Sequence, residues 1–315
     1  MKAETIKTKS EKEWLALRTK DITSTEIAAL FGLSPYTTAF ELWHRKKDNI
    51  AVDYEENERM IWGIRLQDTI AAGVAQDQKW KVRRMDEYMR IPDLRIGASF
   101  DYSIEETGVG QNVGTDTLGL LEIKNVDSLI YKQGWTVEDG NVEAPPHIEL
   151  QVQHQLLITQ RRYAYIAAFI GGNKVVLLKR EPDDDIHNAI ILKVGAFWAS
   201  IEAGNAPAPD FRQDAEFISK LYGYAEPGKV MDLTDNTEFA ALAARHRELG
   251  SAIKQCEEER DALKAQMLMI IGDAEKCTAD GFTVSAGLVG PAHVEYDRAG
   301  YRSFKINWPR TRKEK

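Results

Sequence analysis

Glu122 and Lys124 stand two residues apart in GLLEIKN, residues 119–125, inside an otherwise apolar run. Side chains on a strand alternate faces, so the acid and the base point one way while Leu121 and Ile123 point the other. Alone, Glu-x-Lys is too common to define a site, and on a solvated sheet face it is an ion pair worth at most about 1 kcal/mol. Asp101 changes the chemistry on offer. It lies some twenty residues upstream in GASFDYSI, and the turn GVGQNVGTDTLG between the two segments can bring it alongside Glu122. Two carboxylates from neighbouring strands make a hard, oxygen-rich site suited to Mg²⁺ or Mn²⁺, with the backbone carbonyl of Ile123 as a further oxygen. Lys124 would then position or deprotonate an attacking water, or stabilise charge on a phosphate. Asp followed by Glu-x-Lys reads as the residue set of metal-assisted phosphodiester hydrolysis.

Caps and periodicity mark the elements that must position this set. Residues 10–17 read as a helix with Ser10 as N-cap and Glu13 at the capping-box position. Thr23, Ser24 or Thr25 can cap a short helix through Leu30 that Gly32 ends, and Ser34-Pro35 restarts the chain into a helix carrying Phe40, Leu42 and Trp43. A further helix is expected across 56–78, with Ile61, Leu66, Ile70 and Val74 on its apolar side. WKVRRMDEYMRI and RIGASFDYSI read as paired strands, and LLEIKNV as the next. Pro145-Pro146 opens a helix through HIELQVQHQLLITQ, YAYIAAFI-GGNK-VVLLKRE is a hairpin, and Asp183 to Glu202 is again helical. This order predicts a mixed α/β (α+β) domain whose central sheet is flanked by helices.

Composition bounds the function. The 315 residues are 43% hydrophobic and 29% charged, ordinary for a globular protein, and no run approaches the roughly 18 apolar residues of a membrane span. MKAETIKTKSEKEW has no secretory apolar segment, and Cys256 and Cys277, the only cysteines, exclude a cysteine zinc knuckle. A cytoplasmic protein with no membrane association is expected. The net charge of −8 argues against coating nucleic acid by bulk attraction, but not against a nucleic-acid enzyme with its basic groups in one channel. The basic clusters His44-Arg45-Lys46-Lys47, Arg83-Arg84, Arg161-Arg162 and Arg310-Thr-Arg-Lys read as solvated surface.

Residues 236–276 have a different texture. Leu242, Leu249, Ile253, Cys256, Leu263, Met267 and Ile270 recur at spacings of three, four and seven, which predicts a long amphipathic helix or a helical hairpin. DGFTVSAGLV and SFKINW read as short strands after it. A boundary near 223–232 divides the chain into a main domain, 1–225, and an accessory region, 226–315. No internal repeat is evident.

Five segments, taken in order, resemble the YqaJ-like viral recombinase family, the phage lambda-exonuclease branch of the PD-(D/E)xK nuclease superfamily. They are RTKDITSTEIAALFGLSPY, WGIRLQD, GASFDYSI, LLEIKN and HIELQVQHQLLIT, spanning roughly residues 14–205. The resemblance implies a restriction-endonuclease-like core with Asp101 and Glu122 as metal ligands, Lys124 as the catalytic lysine and Gln151 as the helix residue that reaches the site. On a helix Gln151 and Gln153 are about 200° apart, so Gln153 is assigned to packing around the site. His147 and His154 flank Gln151 and read as helix surface rather than ligands. Arg18 and Thr25 match the family positions that hold a 5′ phosphate, with threonine where the family has serine. Gln67, with Asp68 beside it, stands where the family helix presents a glutamate, which puts the strength of a second metal site in question.

The expected protein is a Mg²⁺-dependent 5′-to-3′ exonuclease acting on double-stranded DNA ends, with Mn²⁺ as a substitute and two ions per site. It would leave 3′ overhangs for a single-strand annealing protein in a bacterial host cell. The polarity and a trimeric homo-oligomer come from the resemblance alone. Two other readings stay open: an endonuclease or RecB-like nuclease module, and a catalytically weakened DNA-end or partner-binding protein.

Overall fold

Eight consecutive residues, Gly119–Val126, form a strand that is buried except at Lys124 and Asn125, and the rest of the fold is arranged around it. The computed structural model describes residues 2–50, 57–106, 118–138, 141–298 and 300–307. Most of the glycine-rich turn expected before Gly119, and the basic tail at Arg310, lie outside the described residues. The chain forms two compact units, Met1–Ile218 and Ser219–Lys315.

The first unit opens with β1 (Glu4–Lys7), α1 (Glu11–Arg18), β2 (Ile22–Thr23), α2 (Ile27–Leu30), α3 (Ala39–Lys47) and α4 (Glu58–Gln78). Then come β3 (Lys81–Arg84), β4 (Glu87–Ile91), β5 (Ile96–Ala98), β6 (Tyr102–Glu106) and β7 (Gly119–Val126). The remainder is α5 (Ser128–Gly134), β8 (Thr136–Glu138), β9 (Asn141–Glu143), α6 (Pro146–Thr159), β10 (Ala164–Ile170), β11 (Lys174–Arg180) and α7 (Asp184–Glu202). Five strands make the central sheet in the order β11-β10-β7-β6-β3, and four make a second sheet, β1-β4-β5-β2. The architecture is the expected mixed α/β one.

Strand pairing departs from the sequence reading in one respect. The two segments expected to pair as whole strands are each divided between the sheets: β3 pairs with β6, whereas β4 pairs with β5. The breaks come at Met85-Asp86 and at Ser99–Asp101, where the chain passes from one sheet to the other. Expected caps are met at α1, where Ser10 Oγ accepts from the Glu13 amide at 3.2 Å. At α2 the N-cap position is Glu26, not one of the hydroxyl residues, and the Glu26 carboxylate instead accepts the Thr23 amide at 2.9 Å.

Two apolar layers sandwich the central sheet. Leu121 and Ile123 join Ile70, Ala71 and Val74 of α4 on one face. Leu120 and Val126 join Leu156, Val152 and Ile148 of α6 on the other. By alternation Glu122 and Lys124 must lie on the α6 face, and Glu122 is only 4% exposed. A solvated surface pair is therefore excluded.

The second unit contains one long helix, α9 (Thr237–Ile271), after α8 (Ala215–Leu221), which runs across the division between the units. The Asn236 side chain caps it, accepting the Phe239 amide at 2.8 Å, and Gly272 ends it with φ +63°. The alternative of a helical hairpin is thereby corrected. A hairpin of β12 (Lys276–Ala279) and β13 (Phe282–Ser285) follows. Residues 303–307 of SFKINW are not a strand, since no neighbouring segment pairs with them among the described residues.

Candidate active site

The length mismatch between β6 and β7 creates the site. β7 pairs with β10 along its length, but its pairing with β6 stops at Tyr102↔Leu121. Beyond that point the edge of β7 facing β6 has free backbone groups. A buried N–H needs a partner, and Asp101, one residue past the ladder, supplies it: Asp101 Oδ2 accepts the Ile123 amide at 2.8 Å. The N–H and C=O of one strand residue face the same neighbour, so the Ile123 carbonyl looks into the same gap. Asp101 and the Ile123 carbonyl thus share the gap where the β6–β7 ladder ends, and the charge of Glu122, on the α6 face of β7, acts on Asp101.

On the α6 face, Lys124 Nζ donates to Glu122 Oε1 at 2.8 Å and to Gln151 Oε1 at 2.9 Å. Gln151 Nε2 closes the triangle by donating to Glu122 Oε1 at 2.6 Å. One turn further along the helix, Gln155 Nε2 donates to Glu122 Oε2 at 2.9 Å. The family resemblance did not point to Gln155, yet helical spacing could have found it, because residues i and i+4 share a face. Gln153 points elsewhere as the spacing required, bonding the Glu181 carbonyl at 2.8 Å and the Asp183 amide at 3.1 Å.

From the opposite face, Gln67 Nε2 of α4 donates to Asp101 Oδ1 at 2.6 Å. Asp68 does not reach this carboxylate. It pairs with Arg84 at 2.8 Å and accepts a hydrogen bond from the Tyr102 hydroxyl.

The electrostatics follow from burial and crowding. Burial first, then the negative charge of Glu122, push the Asp101 carboxyl up to about 7 against the opposing help of Lys124, Ile123 and Gln67. Burial works against the Lys124 ammonium, but Glu122 and Asp101 outweigh it and hold its pKa above the ordinary value. Lys124 is therefore a cation at neutral pH. With it, two carboxylates still leave an excess of negative charge in a buried pocket.

Arg18 and Thr25 are also brought together, Arg18 Nη2 donating to Thr25 Oγ1 at 3.3 Å. The guanidinium stacks over Trp14 at 4.6 Å, and the Trp14 indole N–H donates to Ser99 Oγ at 2.9 Å. Ser99's carbonyl accepts from Gln155 at 3.3 Å. An unbroken series of contacts therefore links Arg18 to Glu122. Their segment is clamped by Lys46, whose buried Nζ donates to the Arg18 carbonyl at 2.6 Å, the Asp21 carbonyl at 2.7 Å and Glu26 at 2.8 Å. Arg90 grips Asp21 with two bonds at 2.9 and 2.7 Å, and Tyr88 donates to it at 3.1 Å. Tyr88 reaches Asp21 across Gly97, where any Cβ would overlap the tyrosine ring.

Three surface expectations are corrected. Lys46 is 6% exposed, and its amine donates to three acceptors, two of them buried. Arg161 is half-buried, bonding Ser103 Oγ at 2.8 Å. His154 is fully buried between α6 and the Ile22–Glu26 segment, and burial pushes its imidazole down to about 3. His147 stacks edge-on against Tyr36 at 5.8 Å.

Fold and site together define a mixed α/β protein with an aspartate at the end of one strand and Glu-x-Lys on its neighbour. The sequence model of the YqaJ-like viral recombinase domain matches residues 13–162. The uncharacterized protein YqaJ of Bacillus subtilis (strain 168) is 31% identical over 279 residues, covering 85% of this chain and 83% of that protein. The chain belongs to the YqaJ-like viral recombinase family. Among solved structures, an alkaline exonuclease (LHK-Exo) from Laribacter hongkongensis is similar at 22% identity and a TM-score of 0.46, covering 67% of this chain and 99% of that one. A phage-related exonuclease from Haemophilus somnus 129PT is similar at 9% identity and a TM-score of 0.43, covering 58% and 94%.

Proposed function

We propose that the chain is a Mg²⁺-dependent exonuclease of phage or prophage recombination, which digests one strand of duplex DNA from its 5′ end. The observation that carries this reading is the half-buried Asp101 beside the buried Glu122 and the Lys124 ammonium. Among the described residues no group of three or more His, Cys, Asp and Glu side chains converges as a metal site, so the fit of a cation has to be judged on this pair. Asp101 is held up near 7 by burial first and then by the negative charge of Glu122, and the donors are all hard oxygens, which fits Mg²⁺ or Mn²⁺. Asp101, Glu122 and the Ile123 carbonyl would hold the ion. When bound, it supplies Lewis-acid polarisation of the phosphodiester and a more acidic water.

The chain's own groups do the rest. Lys124, kept protonated, orients the attacking water or stabilises phosphate charge rather than serving as the base. Gln151 and Gln155 hold Glu122 in one orientation, and Gln67 does the same for Asp101. Arg18 and Thr25 anchor a terminal 5′ phosphate, a bidentate acceptor that suits a guanidinium. Residues 1–225 form the nuclease domain and 226–315 an accessory region. Copies assemble as a homo-oligomer, three by family resemblance, in the host cytoplasm, and the 3′ overhang passes to a single-strand annealing protein. No helix among the described residues is long and apolar enough to cross a membrane.

One observation favours a second reading. Both Asp101 oxygens already accept N–H donors, from Gln67 and Ile123, and Gln67 adds no charge to hold a second ion. A weakened, DNA-end-binding protein is the consequence if that ion is essential. A time course on linear duplexes with 5′-phosphate or 5′-hydroxyl ends, with Mg²⁺ or EDTA, separates these. The nuclease reading expects Mg²⁺-dependent mononucleotide release, faster from 5′-phosphate ends. Binding without release would favour the second reading, and internal cuts on circular DNA would favour an endonuclease.

A further inference from the structure

Helix α6 carries Gln155, Gln151 and His147 as one stripe, since positions i and i+4 share a face. The two glutamines hold Glu122 and Lys124. Exposure rises along the stripe, from 1% at Gln155 through 8% at Gln151 to the partly exposed His147. At the outer end the His147 ring meets Tyr36, with centroids 5.8 Å apart and planes at 88°. An edge contact of this kind braces the phenol without covering it, and Tyr36 is 80% exposed. Its backbone is held as well. Ser34 Oγ accepts the Tyr36 and Thr37 amides, both at 3.2 Å, and Thr38 Oγ1 accepts the Glu41 amide at 3.0 Å where α3 begins. Burial is the largest influence on the Lys124 ammonium, and Tyr36 is among the neighbours that, with Glu122 and Asp101, raise its pKa against that burial. Burial, and after it the charge of Lys124, lower the pKa of His147, which leaves a neutral imidazole beside the phenol at neutral pH. An ordered, exposed aromatic group thus stands at the mouth of the site. Neither ring carries the positive charge that would suit it to a phosphate.

We propose that Tyr36, braced by His147, stacks on the nucleobase immediately 3′ of the phosphodiester bond being cut. This role rests on the nuclease reading of the Asp101–Glu122 site. The order of groups along α6 sets the position. Arg18 and Thr25 reach the stripe at its inner end, through Trp14, Ser99 and Gln155, and Lys124 contacts its middle at Gln151. With the 5′ phosphate at Arg18 and the scissile phosphate at Lys124, the strand continues outward to Tyr36 and His147, the latter about 12 Å from Gln155 along the helix axis. When the terminal nucleotide enters the site, the base behind it loses its stacking neighbour, and unstacking costs free energy. An aromatic face restores that contact, and it does so for any base, because every base has a π-face. Digestion through successive sequences needs such indifference.

The test pairs a side-chain deletion with a base deletion. The full chain is assayed on 5′-phosphorylated duplexes that are intact, or abasic at the first or the second nucleotide. Fluorescence anisotropy with Ca²⁺ in place of Mg²⁺ gives end affinity, and release of the first nucleotide with Mg²⁺ gives kcat/KM. On intact duplex Tyr36→Ala should lower both about tenfold, the value of one base–aromatic stack, while Tyr36→Phe stays within about twofold. Loss of the second base should cost wild type a similar factor and cost Tyr36→Ala nothing further. Loss of the first base should leave the difference between the two proteins in place. An equal effect of Tyr36→Ala on intact duplex and on duplex lacking the second base, or cancellation by the first base instead, would overturn the proposal. If wild type binds ends but releases no nucleotide, the nuclease reading fails, and the affinities alone decide whether Tyr36 stacks. Thermal melts verify that both variants are folded, as expected for a side chain so exposed.

Discussion

Gln67 donates to Asp101 at 2.6 Å, so an amide hydrogen bond stands where the family resemblance leads one to expect a carboxylate. The substitution Gln67→Glu exchanges a donor for a third negative charge beside the Asp101 and Glu122 carboxylates. Without metal, it should destabilise the protein by about 1–3 kcal/mol, since an opposed charge replaces a charge-assisted bond. With Mg²⁺ the thermal midpoint should rise more than in wild type, because ligand binding to the native state adds stability in proportion to affinity. Thermal melts in EDTA and over a Mg²⁺ series check both parts, and unchanged stability in EDTA would contradict the geometry.

Gln155 and Gln153 offer an internal comparison on one helix. Gln155→Leu removes a bond to an ionised carboxylate, worth about 1.5–3 kcal/mol, and should lower kcat roughly 10- to 100-fold. Gln153→Leu breaks bonds to the backbone at Glu181 and Asp183 instead. It should cost about 1–2 kcal/mol of stability and leave kcat within roughly threefold. Steady-state kinetics beside thermal melts distinguish the two roles.

How much of this could be read beforehand depended on whether the signal was local. Period-two alternation placed Glu122 and Lys124 on one face, and helical spacing separated Gln151 from Gln153. The same spacing, carried one turn further, leads to Gln155. Asp101's partner was less accessible, because it depends on where the β6–β7 ladder stops, and no residue type marks that point. The division of WKVRRMDEYMRI and RIGASFDYSI between two sheets was hidden for a similar reason: pairing is a long-range choice, and either segment is strand-like in either sheet. Lys46 is not legible in the sequence because a run of four basic residues looks solvated, while its burial depends on acceptors at Arg18, Asp21 and Glu26 that fold back onto α3.

Lys46 carries a direct consequence for stability. Lys46→Met strands the buried Glu26 carboxylate and leaves two main-chain carbonyls without their donor, which should cost about 3–5 kcal/mol. Replacing both partners, Lys46→Met with Glu26→Leu, should recover part of that loss, as apolar replacement of a buried pair often does. Urea denaturation of the two variants decides it, and equal losses would show that the pair itself is not the source.

His154 should shape the acid limb of the stability curve. Its imidazole is held down to about 3 by burial, against an ordinary value of 6.5. The unfolded chain therefore binds a proton that the native state refuses, and stability is lost as pH falls from 6.5 toward 3. At pH 4 this single group accounts for roughly 2–3 kcal/mol relative to neutral pH. His154→Leu should flatten that slope, as read from urea midpoints between pH 7 and pH 4. An unchanged slope would mean that His154 is protonated in the native state.

The most direct test of the central claim is the rate at which linear 5′-phosphorylated duplex is converted to nucleotides by wild type and by Lys124→Ala, with DNA binding measured on the same samples. Removing the Lys124 ammonium, which contacts Glu122, should lower the Mg²⁺-dependent rate by at least about 10²-fold. End binding should remain within a few-fold, because Arg18 and Thr25 are untouched. Equal hydrolysis by both proteins, or none by either despite intact binding, would contradict the account.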